Sequence, residues 1–303
     1  MPRTAPRTLV HGLLAALATA CIPHAPRNTD ALFGNPGDAV MVIGHRGAGG
    51  LAPENTHAAF AKAAELGVAF ELDITLSQDG ELVVIHDDTL DRTTTGSGAV
   101  AATVWADIDG LDAGSWLDSR FAGEPVPRLA EVLETFGEQV VIDIEIKSPP
   151  AGAKPGPIAK ATVEAIRAAG LVDRCFVTSF NPFVLEAVKK EAPEVIRGQL
   201  TGTFKGADLK WYEKLALRNL ALNGKATPDL IAAEAAFLEE RGYHYVRAMQ
   251  RRGYRVLAWT VNDPQTMLHL ADIGVDGLIT DHPDLALKVL AEHPRGPAAT
   301  AGR

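Results

Sequence analysis

Val141-Ile142-Asp143-Ile144-Glu145-Ile146-Lys147 alternates apolar and charged side chains. Successive side chains of an extended strand point to opposite faces. The three isoleucines therefore share one face, and Asp143, Glu145 and Lys147 share the other. Phe70-Glu71-Leu72-Asp73-Ile74-Thr75 repeats the pattern, with Glu71 and Asp73 opposite Phe70, Leu72 and Ile74. Such strands suit a closed barrel, in which apolar faces pack outward on helices and the charged faces line the interior. Uncompensated carboxylates in a narrow interior are very costly. They are expected to share a cation, because Lys147 beside Glu145 supplies only part of the compensation. A network of internal salt bridges is the alternative. Charged rows near the carboxyl ends of two strands lie on the face where such barrels carry their active sites.

To either side, short apolar runs alternate with longer helical patterns, as repeated β-α units do. The patterns predict strands at 39–44, 69–76, 140–147, 174–179, 195–200, 220–223, 255–261 and 277–280. They predict helices at 54–66, 129–136, 157–169, 182–191, 228–252, 264–273 and 283–292. Several of these helices open with Pro in the first turn, where its missing N–H costs nothing. Eight strands with interleaved helices in about 250 residues predict an α/β protein, a (β/α)8 TIM barrel. A doubly wound open sheet is the alternative, but no glycine-rich dinucleotide fingerprint is present. A small insertion follows the second strand region. Gln78-Asp79-Gly80 turns into an extended run at 81–85, and 88–127, rich in Gly, Asp and Thr, lacks clean periodicity. Loops this long are usually functional or form small subdomains. The stretch 201–225 gives mixed signals.

Residues 1–21 read as an export signal. Arg3 and Arg7 supply the positive region, 9–19 the short apolar region, and Ala18-Thr19-Ala20 the small residues of a cleavage site. No later segment approaches the ~20 apolar residues of a spanning helix. The expected location is outside the cytoplasm, periplasmic or extracellular. Cys21 follows the small residues as in a bacterial lipoprotein signal, which would attach the chain to a membrane, although Ala18 stands where such signals usually carry Leu. Residues 22–38 read as a linker, 39–293 as the barrel domain, and 294–303 as a disordered Pro/Ala/Gly-rich tail. The charge is −9, from 38 acidic and 29 basic residues, with no basic cluster to track a nucleic-acid backbone. Cys175 lies in a predicted strand and reads as a core thiol.

The chemistry-bearing residues cluster early. His45-Arg46-Gly47 closes the first strand, Pro53-Glu54-Asn55-Thr56 opens the next helix, and His86-Asp87 ends the run after the second strand. Histidine exchanges protons near neutral pH, so His45 and His86 form a candidate acid/base pair. Arginine offers a planar fork of donors to phosphate oxygens. Glu71, Asp73 and Glu145, without cysteine and with the histidines left for other work, suit Ca²⁺ or Mg²⁺ better than Zn²⁺. The bland alternatives are a helix salt bridge for Arg46 and a plain helix start for Glu54 and Asn55. Trp259 would otherwise be core, and Asp281 in Thr280-Asp281-His282-Pro283 would be a helix cap. Ser179-Phe180-Asn181 follows a strand and is a candidate for the barrel mouth.

These motifs, together with Arg92-Thr93-Thr94, Glu145-Ile146-Lys147 and Trp259-Thr260-Val261-Asn262, resemble the glycerophosphodiester phosphodiesterase family. Ala113-Gly114-Ser115-Trp116 through Val126-Pro127-Arg128-Leu129 is similar to that family's insertion and following helix. The resemblance implies a barrel enzyme that hydrolyses glycerophosphodiesters to glycerol 3-phosphate and an alcohol. It implies one divalent cation on Glu71, Asp73 and Glu145, and His45 and His86 as the acid/base pair. Arg46 and Lys147 would hold the phosphate, and Trp259 would lie against the glycerol or the leaving group. The expected order is His45 as base and His86 as acid. The rivals are a lysophospholipid- or sphingolipid-cleaving enzyme at a membrane, with Val100, Val104, Trp105, Trp116 and Phe121 as an apolar trough, and a non-catalytic phosphate-ligand-binding protein. A third is a Ca²⁺-stabilised surface module in which both histidines are incidental.

Overall fold

The computed structural model describes residues 26–297 apart from 36 and 207–209. The expected export signal and Cys21 lie outside the described residues. The strands are β1 (Met41–Gly44), β2 (Ala69–Leu76), β3 (Leu82–Val84), β4 (Ile142–Ile146), β5 (Cys175–Ser179), β6 (Ile196–Thr201), β7 (Leu230–Glu234), β8 (Arg255–Trp259) and β9 (Gly277–Thr280). All except β3 are parallel, and β1 pairs with both β9 and β2, which closes an eight-stranded ring. β3 runs antiparallel beside β2. The helices are α1 (Asp30–Phe33), α2 (His57–Glu65), α3 (Trp105–Ile108), α4 (Leu129–Phe136), α5 (Gly156–Ala168), α6 (Pro182–Glu191), α7 (Trp211–Arg218), α8 (Asn223–Ala226), α9 (Ala235–Arg251), α10 (Pro264–Ile273) and α11 (Pro283–Leu290). The chain is thus a (β/α)8 TIM barrel.

Strand alternation builds two cores. Phe70, Leu72, Ile74, Ile142, Ile144 and Ile146 face outward into the layer between sheet and helices. Inward-facing Met41, Ile43, Ala69, Val141, Phe176, Leu230, Ala232 and Leu257 fill the lower barrel. Higher up, the same inward rows turn polar, as Glu71 pairs in register with Asp143 and Asp73 with Glu145. Apolar floor and charged mouth are therefore successive layers of one side-chain alternation. Residues 88–127 carry two short 3₁₀ turns and α3 around a separate small core that includes Ile85, Leu90, Val100, Ile108 and Val126.

The expected strand at 220–223 is absent: Asn223 begins α8, and the sixth barrel strand is Leu230–Glu234. That strand lies inside the helix predicted at 228–252. Its alanines favour helix intrinsically, but full burial between β6 and β8 overrides propensity. Residues 22–38 are not all a loose linker either. Leu32 and Phe33 are buried in the lower core, and Phe33 meets Phe176 with ring centroids 5.4 Å apart. Arg255 binds Thr29, Asp30 and the Gly34 carbonyl, while Arg27 binds Asp229. The start of the expected disordered tail is likewise packed, with Val40 paired to Pro297 and donating to the Arg295 and Gly296 carbonyls.

Candidate active site

Every sequence-predicted site residue reaches one end of the barrel. His45 follows β1, Glu71 and Asp73 lie on β2, His86 follows β3, Glu145 lies near the end of β4 and Lys147 directly after it, and Trp259 ends β8. His45, Arg46, Glu71, His86, Glu145, Lys147 and Trp259 line one cavity of about 110 Å³ at the carboxyl ends of the strands, and Asp73 is buried beside it.

One oxygen from each of Glu71, Asp73 and Glu145 lies within 4.8 Å of the others. Glu71 and Asp73 are 4% and 1% exposed, so their charges have almost no solvent to screen them. Lys147 Nζ sits 3.1 Å from Glu145 and 3.3 Å from Asp73. Burial, followed by repulsion from Asp73, Glu145 and Asp143, pushes the Glu71 carboxyl well above its usual range. Burial also raises Glu145, against the pull of Lys147. Asp73 runs the other way: burial opposes its charge, but Lys147, His86 and Arg46 outweigh it and hold it low. Asp143, just below, accepts from Thr178 at 2.8 Å through one oxygen, while its buried Oδ2 has no partner. Three buried carboxyls and the partly buried Glu145 thus face Lys147 and Arg46 with negative charge in excess. An all-oxygen donor set of this spacing, with a buried oxygen still unpartnered, fits a hard divalent cation.

The turn after β1 is fixed by its backbone. Arg46 has φ 52° and donates its N–H to Glu71 Oε2 at 2.8 Å. Gly47 has φ 88°, and a Cβ there would fall 2.7 Å from the Ala59 backbone, so no side chain fits. Asn55, also at positive φ, grips Asp73 twice, Nδ2 donating to Oδ2 and Oδ1 accepting from the Asp73 N–H. Thr56 caps α2. Glu54 accepts from Arg46 at 2.6 Å and from both terminal nitrogens of Arg92. Arg46 keeps its buried Nε without a hydrogen-bond partner, although Asp73 lies 3.5 Å away.

Both histidines are held through Nδ1 by a carboxylate, which leaves Nε2 for the cavity. His45 pairs with Asp281 at 2.7 Å, and His86 with Asp87 at 2.7 Å. Asp281 is also held by the Asn262 amide, whose oxygen accepts from Thr280 Oγ1 and the Asp281 N–H. Asp87 is gripped twice by Arg92. Burial first, aided by Lys147 and Arg46, lowers the His86 pKa in spite of the nearby carboxylates. Asp281 is the site residue least visible in sequence, its one hint being that it directly follows a barrel strand; Asp87 stands in the His86-Asp87 motif, where sequence assigns it no role of its own.

Trp259 is set by donation of Nε1 to the Ala232 carbonyl at 3.0 Å and by an edge contact with Phe180, whose ring centroid lies 5.4 Å away. Of Ser179-Phe180-Asn181, only Phe180 lines this cavity. Ser179 donates to the Ile146 carbonyl, and Asn181 caps α6. The apolar residues of the insertion do not line the cavity: Val100 is buried in the insertion's own core, and Trp105 packs against it.

A sequence model of the glycerophosphoryl diester phosphodiesterase family matches residues 45–285. A glycerophosphodiester phosphodiesterase from Caldanaerobacter subterraneus is 36% identical over 255 residues, covering 82% of this chain and 97% of that protein. Another from Bacillus subtilis is 33% identical over 266 residues, covering 83% and 87%. Among solved structures, a phosphodiesterase from Oleispira antarctica in complex with the product sn-glycerol-3-phosphate superposes with a TM-score of 0.71 at 31% identity, covering 84% of this chain and 98% of that one. On this match across nearly all of the barrel, the chain belongs to the glycerophosphoryl diester phosphodiesterase family.

Proposed function

We propose that this chain hydrolyses glycerophosphodiesters to glycerol 3-phosphate and an alcohol, by histidine acid/base catalysis beside a divalent cation. The carrying observation is the pair of carboxylate-held histidines facing a cavity over three clustered, mostly buried acids. Glu71, Asp73 and Glu145 would hold the cation, which when bound polarises a phosphoryl oxygen and lowers the pKa of the attacking hydroxyl. The unpartnered Nε of Arg46 and the Lys147 ammonium are the donors for the phosphate oxygens. The attacking oxygen, of water or of the neighbouring glycerol hydroxyl, bonds to phosphorus, the bond from phosphorus to the alcohol oxygen breaks, and the departing alkoxide takes a proton. After attack by the glycerol hydroxyl, water then opens the cyclic phosphate to glycerol 3-phosphate.

The two dyads support the opposite proton order to that expected from sequence. Asp87 shares its charge with the Arg92 guanidinium through two hydrogen bonds, whereas the hydrogen-bond partners of the Asp281 carboxylate among the described residues are His45 and the neutral Asn262 amide. This pairing suits His45 to the proton donor's place in the reaction. His86, with its lowered pKa, is suited to accept a proton. His86 Nε2 then takes the proton of the attacking hydroxyl and His45 Nε2 supplies the leaving alkoxide.

Glycerol 3-phosphate release from glycerophosphocholine, with and without EDTA, tests this for wild type, His45→Ala and His86→Ala. Turnover indifferent to chelation, or to both substitutions, would sink it. The order is tested with a 4-nitrophenyl ester of glycerol phosphate, whose leaving group needs no proton. His45→Ala should lose far less on this ester than on glycerophosphocholine; if His86→Ala shows that pattern instead, the roles are exchanged. Export is proposed from the signal-like residues 1–21, and is checked by sequencing the mature N-terminus of the protein recovered outside the cytoplasm.

A further inference from the structure

Beside the reaction cavity lies a second and much larger one, of about 700 Å³ against 110 Å³. The two share Phe180 and Trp259 as common walls. Lys147 faces the small cavity, and the next residue, Ser148, lines the large one. A phosphodiester held at Lys147 is thus one residue from the trough. The larger volume falls within the ~300–1,000 Å³ of small-molecule sites, whereas the smaller is below that range.

The trough is mostly apolar, with Lys205 the one cation on its lining among the described residues. An edge-to-face aromatic row leads into it, with Trp259 on Phe180 at 5.4 Å and Phe180 on Phe204 at 6.1 Å. Ala216 and Leu217 of α7 and Leu222 continue the wall. Phe204 is held at φ 52°, a conformation a bulky side chain rarely takes, with its ring against Phe180. The acids on the lining already have partners: Glu234 accepts from the Thr203 N–H and hydroxyl at 2.6 Å, and Glu213 accepts from the Lys210 N–H. A small cationic alcohol would use the aromatic row and leave most of the volume unfilled.

We propose that this trough is a substrate subsite for a single hydrocarbon chain, so that the preferred substrate is a glycerophosphodiester bearing one alkyl or acyl group. The proposal rests on the phosphodiesterase reading above and adds the substrate class. The phosphodiester sits among His45, His86 and Lys147, and the chain passes Trp259 and Phe180 onto α7.

The test compares kcat/KM for the ethanol, choline and octanol diesters of glycerol 3-phosphate and for 1-octanoyl-glycerophosphocholine, all below micellar concentration, with products read by mass spectrometry. At least one octyl-bearing substrate should exceed the ethanol and choline diesters by about tenfold or more. Whichever does so tells whether the chain is carried on the leaving alcohol or on the glycerol. Leu217→Glu and, independently, Ala216→Phe should each lower the ratio of octyl-bearing to ethanol substrate by about tenfold, a ratio that loss of folding would not change. A choline diester equal to or better than the octyl substrates, or a ratio untouched by both variants, overturns the subsite while leaving the phosphodiesterase reading intact. No turnover of any of the four overturns both.

Discussion

His45 and Asp281 are 236 positions apart in sequence and 2.7 Å apart in space. If Asp281 fixes the ring so that Nε2 faces the leaving group, Asp281→Asn should cut kcat by about 10²-fold or more with little change in KM. Steady-state kinetics on glycerophosphocholine would check this, and Asn262→Ala should give a weaker effect in the same direction. The carboxylates of β2 and β4 were legible from sequence because a period of two separates Glu71, Asp73, Asp143 and Glu145 from their apolar neighbours. Asp281 was not, because a Thr-Asp-His-Pro turn reads equally as a helix cap, and no local pattern names a partner on the far side of a closing seam. Cys175 is buried, as its place in a strand leads one to expect, and burial pushes its thiol up to about 12. It should resist alkylation at pH 8 in the folded protein and react once urea is added. The sign for stability follows from an unfolded thiol that ionises near ~8.5. The protonated fold is favoured, and that contribution is fully present below ~8.5 and is lost as pH climbs from there toward about 12.

Among the elements, the β1–α2 turn concentrates the most constraint, since His45, Arg46, Gly47 and Asn55 each place something in the cavity or against β2. Gly47→Ala would drive a Cβ into α2. We expect activity to fall by an order of magnitude or more while circular dichroism stays barrel-like, because the turn must shift and carry His45 with it. β7 shows the limit of pattern reading in the other direction. Leu230-Ile231-Ala232-Ala233 carries no alternation because both of its faces are buried, and a short apolar run of that kind fits helix or strand equally. Only the ladders with β6 and β8 decide it. α1 was hidden for a different reason, as a four-residue helix contributing two apolar side chains leaves no periodic signal. Its energetic weight is larger than its length suggests. Phe33→Ala should cost about 3 kcal/mol in urea denaturation, the usual penalty for emptying an aromatic core position.

Taken together, the barrel is most crowded with charge at its mouth. Binding of a divalent cation there should stabilise the fold as well as support the reaction, by about 2.7 kcal/mol at a concentration one hundred times the dissociation constant. Thermal melts in rising Ca²⁺ and, separately, Mg²⁺ would show which ion raises Tm. Glu71→Gln with Glu145→Gln should flatten the response, and a wild-type melt indifferent to both ions would count against a cation at this site. The opposite end of the barrel holds a different consequence. Arg27 is tied to Asp229 just before β7, and Val40 pairs with Pro297 just before β1, so both ends of the described chain leave beneath the floor. A cross-link or a solid support attached at Arg27 or at Pro297 would therefore sit behind the catalyst. The mouth would face outward, open to whatever diffuses past.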